Sequence, residues 1–135
     1  MSGARPFFDT NVVLYLLSGD RAKADRAESL LAEGGVISVQ VLNEFVAVAR
    51  RKSRMGWPEV NEVLQILRSV CALQPLGVET HELALVFAER YGFSIHDAMI
   101  LAAAELAGCG IVYTEDLQHQ QLINQRLTVI NPFLE

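Results

Sequence analysis

The chain has 135 residues, 51% apolar and 20% charged, which supplies enough hydrophobic material for one core and excludes a mainly disordered polypeptide. Eleven basic against sixteen acidic residues leave a formal charge of -5. That balance argues against tight non-specific binding to a polyanion unless a cation or a local basic patch reverses the field.

In chain order, Pro6-Phe7-Phe8 reads as a buried strand running into Asp9, and Asn11 to Leu17 as a short buried helix closed by Ser18-Gly19-Asp20. Ala24, Ala27, Leu30 and Leu31 recur at helical spacing within residues 22–33, and Gly34-Gly35 stands where a C-cap belongs. Val36-Ile37 is a second strand. Ser38 then caps a helix from Val39 to about Ser53, with a core stripe of Val41, Leu42, Phe45, Val48 and Ala49. Gly56-Trp57-Pro58 breaks the chain, and Pro58 suits the first turn of a helix ending near Cys71.

Residues 73–76 form a weak strand, and residues 79–91 a helix stopped by Gly92. Ser94 caps an apolar helix from Ile95 to Leu106. Ile111-Val112-Tyr113 is a buried strand, followed by a polar loop over residues 114–121, and Leu127 to Ile130 is the last strand before Asn131-Pro132. Short strands separated by helices specify βαβ units and therefore a parallel sheet covered on both faces. No linker divides the chain, so residues 1–135 are expected to form a single domain. Ligands in such folds gather beyond the carboxyl ends of the strands.

Cys71 and Cys109 belong to no CxxC pair and read as free thiols of a reducing cytoplasm rather than a disulfide or zinc site. Asp9 and Asn11 interrupt the first apolar stretch at once, so no signal peptide is expected. The longest uncharged apolar run, Ala98 to Ala104, is seven residues, far short of a membrane span. A soluble cytoplasmic protein follows as the expectation.

Four carboxylates stand out by position. Asp9 follows the first strand, Asp116 lies three residues beyond Tyr113, Asp97 opens an apolar helix, and Glu44 is the only charge between Val36 and Ala49. An unpaired carboxylate in low dielectric costs several kcal/mol, so each requires a partner or a metal. Each also has a plainer reading. Asp9 caps the following helix, Ser94-Ile95-His96-Asp97 is a capping box with Asp for Glu, Asp116 is a turn residue, and Glu44 pairs with Arg50 or Arg51 at an unfavourable spacing. Taken jointly, two acids at strand exits and two on neighbouring helices converge at one rim. Crowded like charges there call for a hard divalent cation with oxygen ligands, Mg²⁺ or Mn²⁺.

These residues resemble the PIN domain family, its small VapC-type toxins in particular, over essentially the whole chain. The resemblance rests on Phe7-Phe8-Asp9-Thr10-Asn11, on Ser38 with Asn43-Glu44-Phe45, on His96-Asp97-Ala98, and on Thr114-Glu115-Asp116-Leu117-Gln118-His119. One departure is the missing glycine near Gln120, which leaves that loop's conformation open. The resemblance implies a three-layer α/β/α fold and metal-dependent hydrolysis of RNA phosphodiester bonds. It implies that Asp9, Glu44, Asp97 and Asp116 hold one or two Mg²⁺ or Mn²⁺ ions, with Thr10, Asn11 and Thr114 orienting carboxylates or water.

Arg50, Arg51, Lys52 and Arg54 hold four of the eleven basic residues. They read either as cations at a helix C-terminus or as contacts to an RNA backbone. No base-reading motif is present; the resemblance favours structured RNA such as tRNA, a small antitoxin partner as in type II toxin–antitoxin pairs, and a homodimer. Leu14, Leu16, Leu64, Leu67, Val86 and Phe87 are apolar positions in excess of what a small domain must bury. His96 and His119 are either structural or phosphate contacts.

Three other classes compete. A phospho-acceptor domain lacks its late-strand lysine, a haloacid-dehalogenase-like phosphatase lacks a second aspartate at position 11, and a non-catalytic RNA-binding module does not need all four acids. Within the nuclease class, DNA and other RNA substrates are the alternatives.

Overall fold

The computed structural model describes residues 5–134. Its elements run β1 (Phe7–Phe8), α1 (Thr10–Leu14) continued by a 3₁₀ turn (Tyr15–Leu17), α2 (Arg21–Ala32), β2 (Gly35–Ser38), α3 (Val39–Arg51), α4 (Trp57–Val70), β3 (Cys71–Gln74), α5 (Val78–Tyr91), α6 (Ile95–Leu106), β4 (Ile111–Tyr113), β5 (Leu122–Ile123) and β6 (Leu127–Ile130). The strands form one sheet in the order β3-β2-β1-β4-β6-β5. Every pairing is parallel except β5 with β6.

That order fixes the place of the site. From β1 the chain steps outward to β2 and β3, then returns across β1 to β4. Crossovers between parallel strands are right-handed, so reversing direction sends α5 and α6 to the face opposite α1–α4 and yields three layers, α/β/α. The reversal lies between β1 and β4, which pair through Phe7 with Val112 and Phe8 with Tyr113. Asp9 leaves β1 at that switch point, its amide donating to the Tyr113 carbonyl at 3.0 Å.

Burial follows from composition. Phe7, Phe8, Ile37, Val112 and Val129 are shielded inside the sheet, and α6 buries Ala98 and every residue from Ile100 to Ala104. Small side chains on α6 allow it to approach the strands closely. On α3, Val41, Phe45 and Ala49 are fully buried while Leu42 and Val48 are half-buried, as the stripe predicts. A Cβ on Gly35 would lie 2.4 Å from Phe8 Cε2 and 2.6 Å from the Pro6 carbonyl, so only glycine lets β2 close on β1.

Several boundaries differ from the sequence reading. The third strand begins at Cys71, two residues before the predicted start, because α4 runs directly into it without a turn. The first helix tightens to a 3₁₀ turn over its last three residues. Strand β5 has no counterpart in the reading: two residues are too short for alternation to register, and only the antiparallel register of Ile123 on Leu127 defines it. Gln120, where a glycine was expected, adopts a left-handed φ of 70°. Both cysteines are free and buried. Burial pushes each thiol up to about 11.

Leu67 and Phe87, offered above as surplus apolar positions, are core residues, 1% and 0% exposed. Their periodicity was that of the inner helix face, so they present nothing to a second copy. Val86 is exposed, and Leu14, Leu16 and Leu64 are half-buried. No helix among the described residues is long and apolar enough to cross a membrane.

Candidate functional site

Asp9, Glu44, Asp97 and Asp116 all line one cavity of about 390 Å³ above the switch point, together with Thr10, Asn11, Gln40, Arg51 and His96. Each acid arrives on a different element. Asp9 is the N-cap of α1, Glu44 lies mid-way along α3, Asp97 is in the first turn of α6, and Asp116 follows β4.

Asp9 caps α1 with one carboxylate oxygen and turns the other toward Thr114. One carboxylate oxygen, Oδ1, accepts from the Thr10 amide at 2.6 Å, which is the cap. The other, Oδ2, accepts from the buried Thr114 hydroxyl at 2.8 Å. Burial raises the Asp9 carboxyl to about 6; the Thr114 and Thr10 hydrogen bonds oppose that shift, and the charges of Asp116 and Glu44 add to it.

Thr10, Asn11 and Thr114 link the acids. Thr10 Oγ1 donates to Glu44 Oε1. Asn11 Nδ2 lies 3.0 Å from both Thr114 Oγ1 and Asp116 Oδ2, and 3.4 Å from Asp9 Oδ2. Thr114 Oγ1 also accepts from the Asp116 amide at 3.1 Å, so one hydroxyl holds both strand-end aspartates.

The capping box at α6 is only half formed. Ser94 Oγ accepts from the Asp97 amide at 3.1 Å, while among the described residues the Asp97 carboxylate accepts no hydrogen bond. Nor does an arginine claim Glu44: the one ion pair among the described residues is Lys23 with Glu115, at 3.5 Å. The four acids therefore share a cavity without a paired cation. Among the described residues, no three His, Cys, Asp or Glu side chains close into a ready-made metal cage. The donor set still fits a hard cation, being oxygen-only, anionic and drawn from four elements.

Of the basic run, Arg51 lines the cavity. Arg50 turns away, donating to the Met55 carbonyl at 2.9 Å and lying 4.4 Å from the centre of the Trp57 ring. Lys52 caps α3, and Arg54 is exposed with a left-handed φ of 51°. His96 lines the cavity, whereas His119 Nδ1 accepts the Asn131 amide at 3.0 Å and pins the last loop.

Gln40 is a site residue that the sequence reading missed. Its Nε2 lies 3.4 Å from Glu44 Oε2 and 3.2 Å from the His96 carbonyl, tying the acid on α3 to the start of α6. Its Oε1 is buried without a hydrogen-bond partner among the described residues. The usable signal was its i, i+4 spacing to Glu44.

Known structures share this fold. A toxin–antitoxin complex from Klebsiella pneumoniae superposes with a TM-score of 0.72 at 22% identity, covering 95% of this chain and 98% of that one. VapC20 of Mycobacterium tuberculosis, described as a sarcin–ricin loop cleaving toxin, gives 0.66 at 24% identity over 82% and 89%. FitAcB from Neisseria gonorrhoeae gives 0.62 at 18% identity over 95% and 98%. These likenesses establish the fold. No curated protein matches the sequence. The PIN domain family model matches residues 7–123, a span that begins at β1 and takes in all four acids, and the chain belongs to the PIN domain family.

Proposed function

We propose that this chain is a divalent-cation-dependent endoribonuclease, the toxin of a type II toxin–antitoxin pair acting in the cytoplasm. One observation carries the reading: four carboxylates from four elements line a single cavity at the switch point, and none is paired with a cation among the described residues. Asp9 is buried, Glu44 and Asp97 are half-buried and Asp116 is exposed, and carboxylates crowded at one rim repel one another unless a counter-ion neutralises them.

Asp9, Glu44, Asp97 and Asp116 would hold Mg²⁺ or Mn²⁺, and when bound the ion supplies Lewis-acid activation of water and charge neutralisation at the phosphate. The chain's own residues do the rest. Thr114 and the Thr10 amide fix the Asp9 carboxylate, Thr10 Oγ1 fixes Glu44, and Asn11 sets Asp116. Arg51 offers a cation to the phosphodiester on the same cavity wall, and the exposed Lys52 and Arg54 extend that field along the strand. An open, incompletely caged acid set suits Mg²⁺, which keeps several waters rather than filling a protein cage.

A structured RNA such as tRNA as substrate, a small cognate antitoxin and a homodimer are part of the same proposal. The antitoxin is supported by the toxin–antitoxin complex among the structural neighbours. The test is cleavage of RNA by purified protein in Mn²⁺, with an EDTA control and Asp9→Asn. Defined new RNA ends in Mn²⁺ alone support the reading; cleavage that persists in EDTA or in Asp9→Asn contradicts it. Cleavage of DNA in place of RNA would favour the other nuclease substrates.

A further inference from the structure

A second cavity, of about 440 Å³, abuts the acidic one and shares three wall residues with it, Gln40, Glu44 and His96. Beyond that wall its chemistry changes. Leu76, Ile95 and Met99 supply apolar surface, while Asn43 and His81 supply hydrogen-bonding groups. Glu44 is its sole carboxylate, and that residue belongs to the shared wall.

We propose that this second cavity is a nucleotide-binding subsite, which holds the base of the nucleotide next to the scissile phosphodiester and gives the enzyme its sequence preference. The inference rests on the nuclease reading above. A strand whose phosphate lies at the four acids continues into the adjoining space, and the shared wall makes this cavity the next station. Apolar surface favours the flat face of an unstacked base, and amide and imidazole groups match the hydrogen-bonding edges of a base. A phosphate is disfavoured there, since the cavity has no lysine or arginine on its walls. The subsite is assembled from α3, the β3–α5 connection, α5 and α6. That dispersal is why no contiguous base-reading motif exists in the sequence.

Asn43 and His81 are exposed, so substituting them spares the core. The experiment uses fluorescein-labelled oligoribonucleotides spanning the mapped cleavage position, with each nucleotide flanking the cut varied in turn. The proteins are wild type, Asn43→Ala, His81→Ala and the occluding Asn43→Trp, each checked for native circular dichroism. For the alanine variants kcat/KM is expected to fall about tenfold, carried by KM, and the preference at one flanking position to flatten; Asn43→Trp gives the larger loss. Unchanged KM and unchanged preference in all three variants, with wild type cleaving, overturn the subsite and leave the nuclease reading intact. Wild-type protein that cleaves no RNA in Mn²⁺ overturns both.

Discussion

The Asp9 carboxyl is 6% exposed, and its displacement to about 6 gives a pH dependence that needs no substrate to observe. Because its folded pKa lies above the ordinary 3.8, the folded state prefers the protonated acid. The resulting destabilisation is absent below about pH 4, grows as pH rises, and is complete above about pH 6, where the shift amounts to ~3 kcal/mol. In EDTA, Asp9→Asn should therefore be more stable than wild type at pH 7, by up to ~3 kcal/mol, with the difference vanishing near pH 3.5. Urea titrations across that range check the sign; an Asn variant less stable than wild type at pH 7 would contradict the burial argument. At this scale the acids were legible, because a carboxylate in an apolar run stands out by its cost. Gln40 was not, since a neutral amide on a helix looks the same in sequence whether it faces water or bridges Glu44 to the His96 carbonyl.

Elements with their own local signals were readable. Ser38 and Ser94 do cap α3 and α6, and Gly92 ends α5 with a left-handed φ of 76°. Elements defined by a partner were not, as β5 shows: Leu122–Ile123 becomes a strand only by pairing with β6. The same hairpin forces Gln120 into its left-handed conformation, with its amide donating to the Val129 carbonyl at 2.7 Å. Gln120→Gly should relieve that strain and stabilise the protein by about 1 kcal/mol, read as a raised midpoint in thermal melts. A lowered midpoint would show that the Gln120 side chain contributes more than its backbone costs. The basic end of α3 divides in a way that composition did not disclose. Arg51→Ala should reduce the slope of log K against log salt for single-stranded RNA by about 0.7, whereas Arg50→Ala leaves the slope in place, its guanidinium being committed to Met55 and Trp57. Equal slopes for Arg51→Ala and wild type would return the whole run to a helix-capping role.

At the scale of the molecule, a chain of net charge -5 gathers four of its acids beyond the carboxyl ends of its central strands. The parallel topology explains the gathering. Strand order reverses between β1 and β4, so the acids following those strands meet, and α3 and α6 bring the other two from opposite layers. The sequence revealed the acids and the alternation that builds the sheet, but not the second cavity, whose walls come from segments far apart in the chain. The central claim is that the four acids share a divalent ion, and isothermal titration of Mn²⁺ into metal-free protein at pH 7 tests it most directly. Saturable binding that is lost in Asp9→Asn and weakened at least tenfold in Asp97→Asn and Asp116→Asn is the predicted result. Absence of binding, or binding that survives all three substitutions, would contradict it.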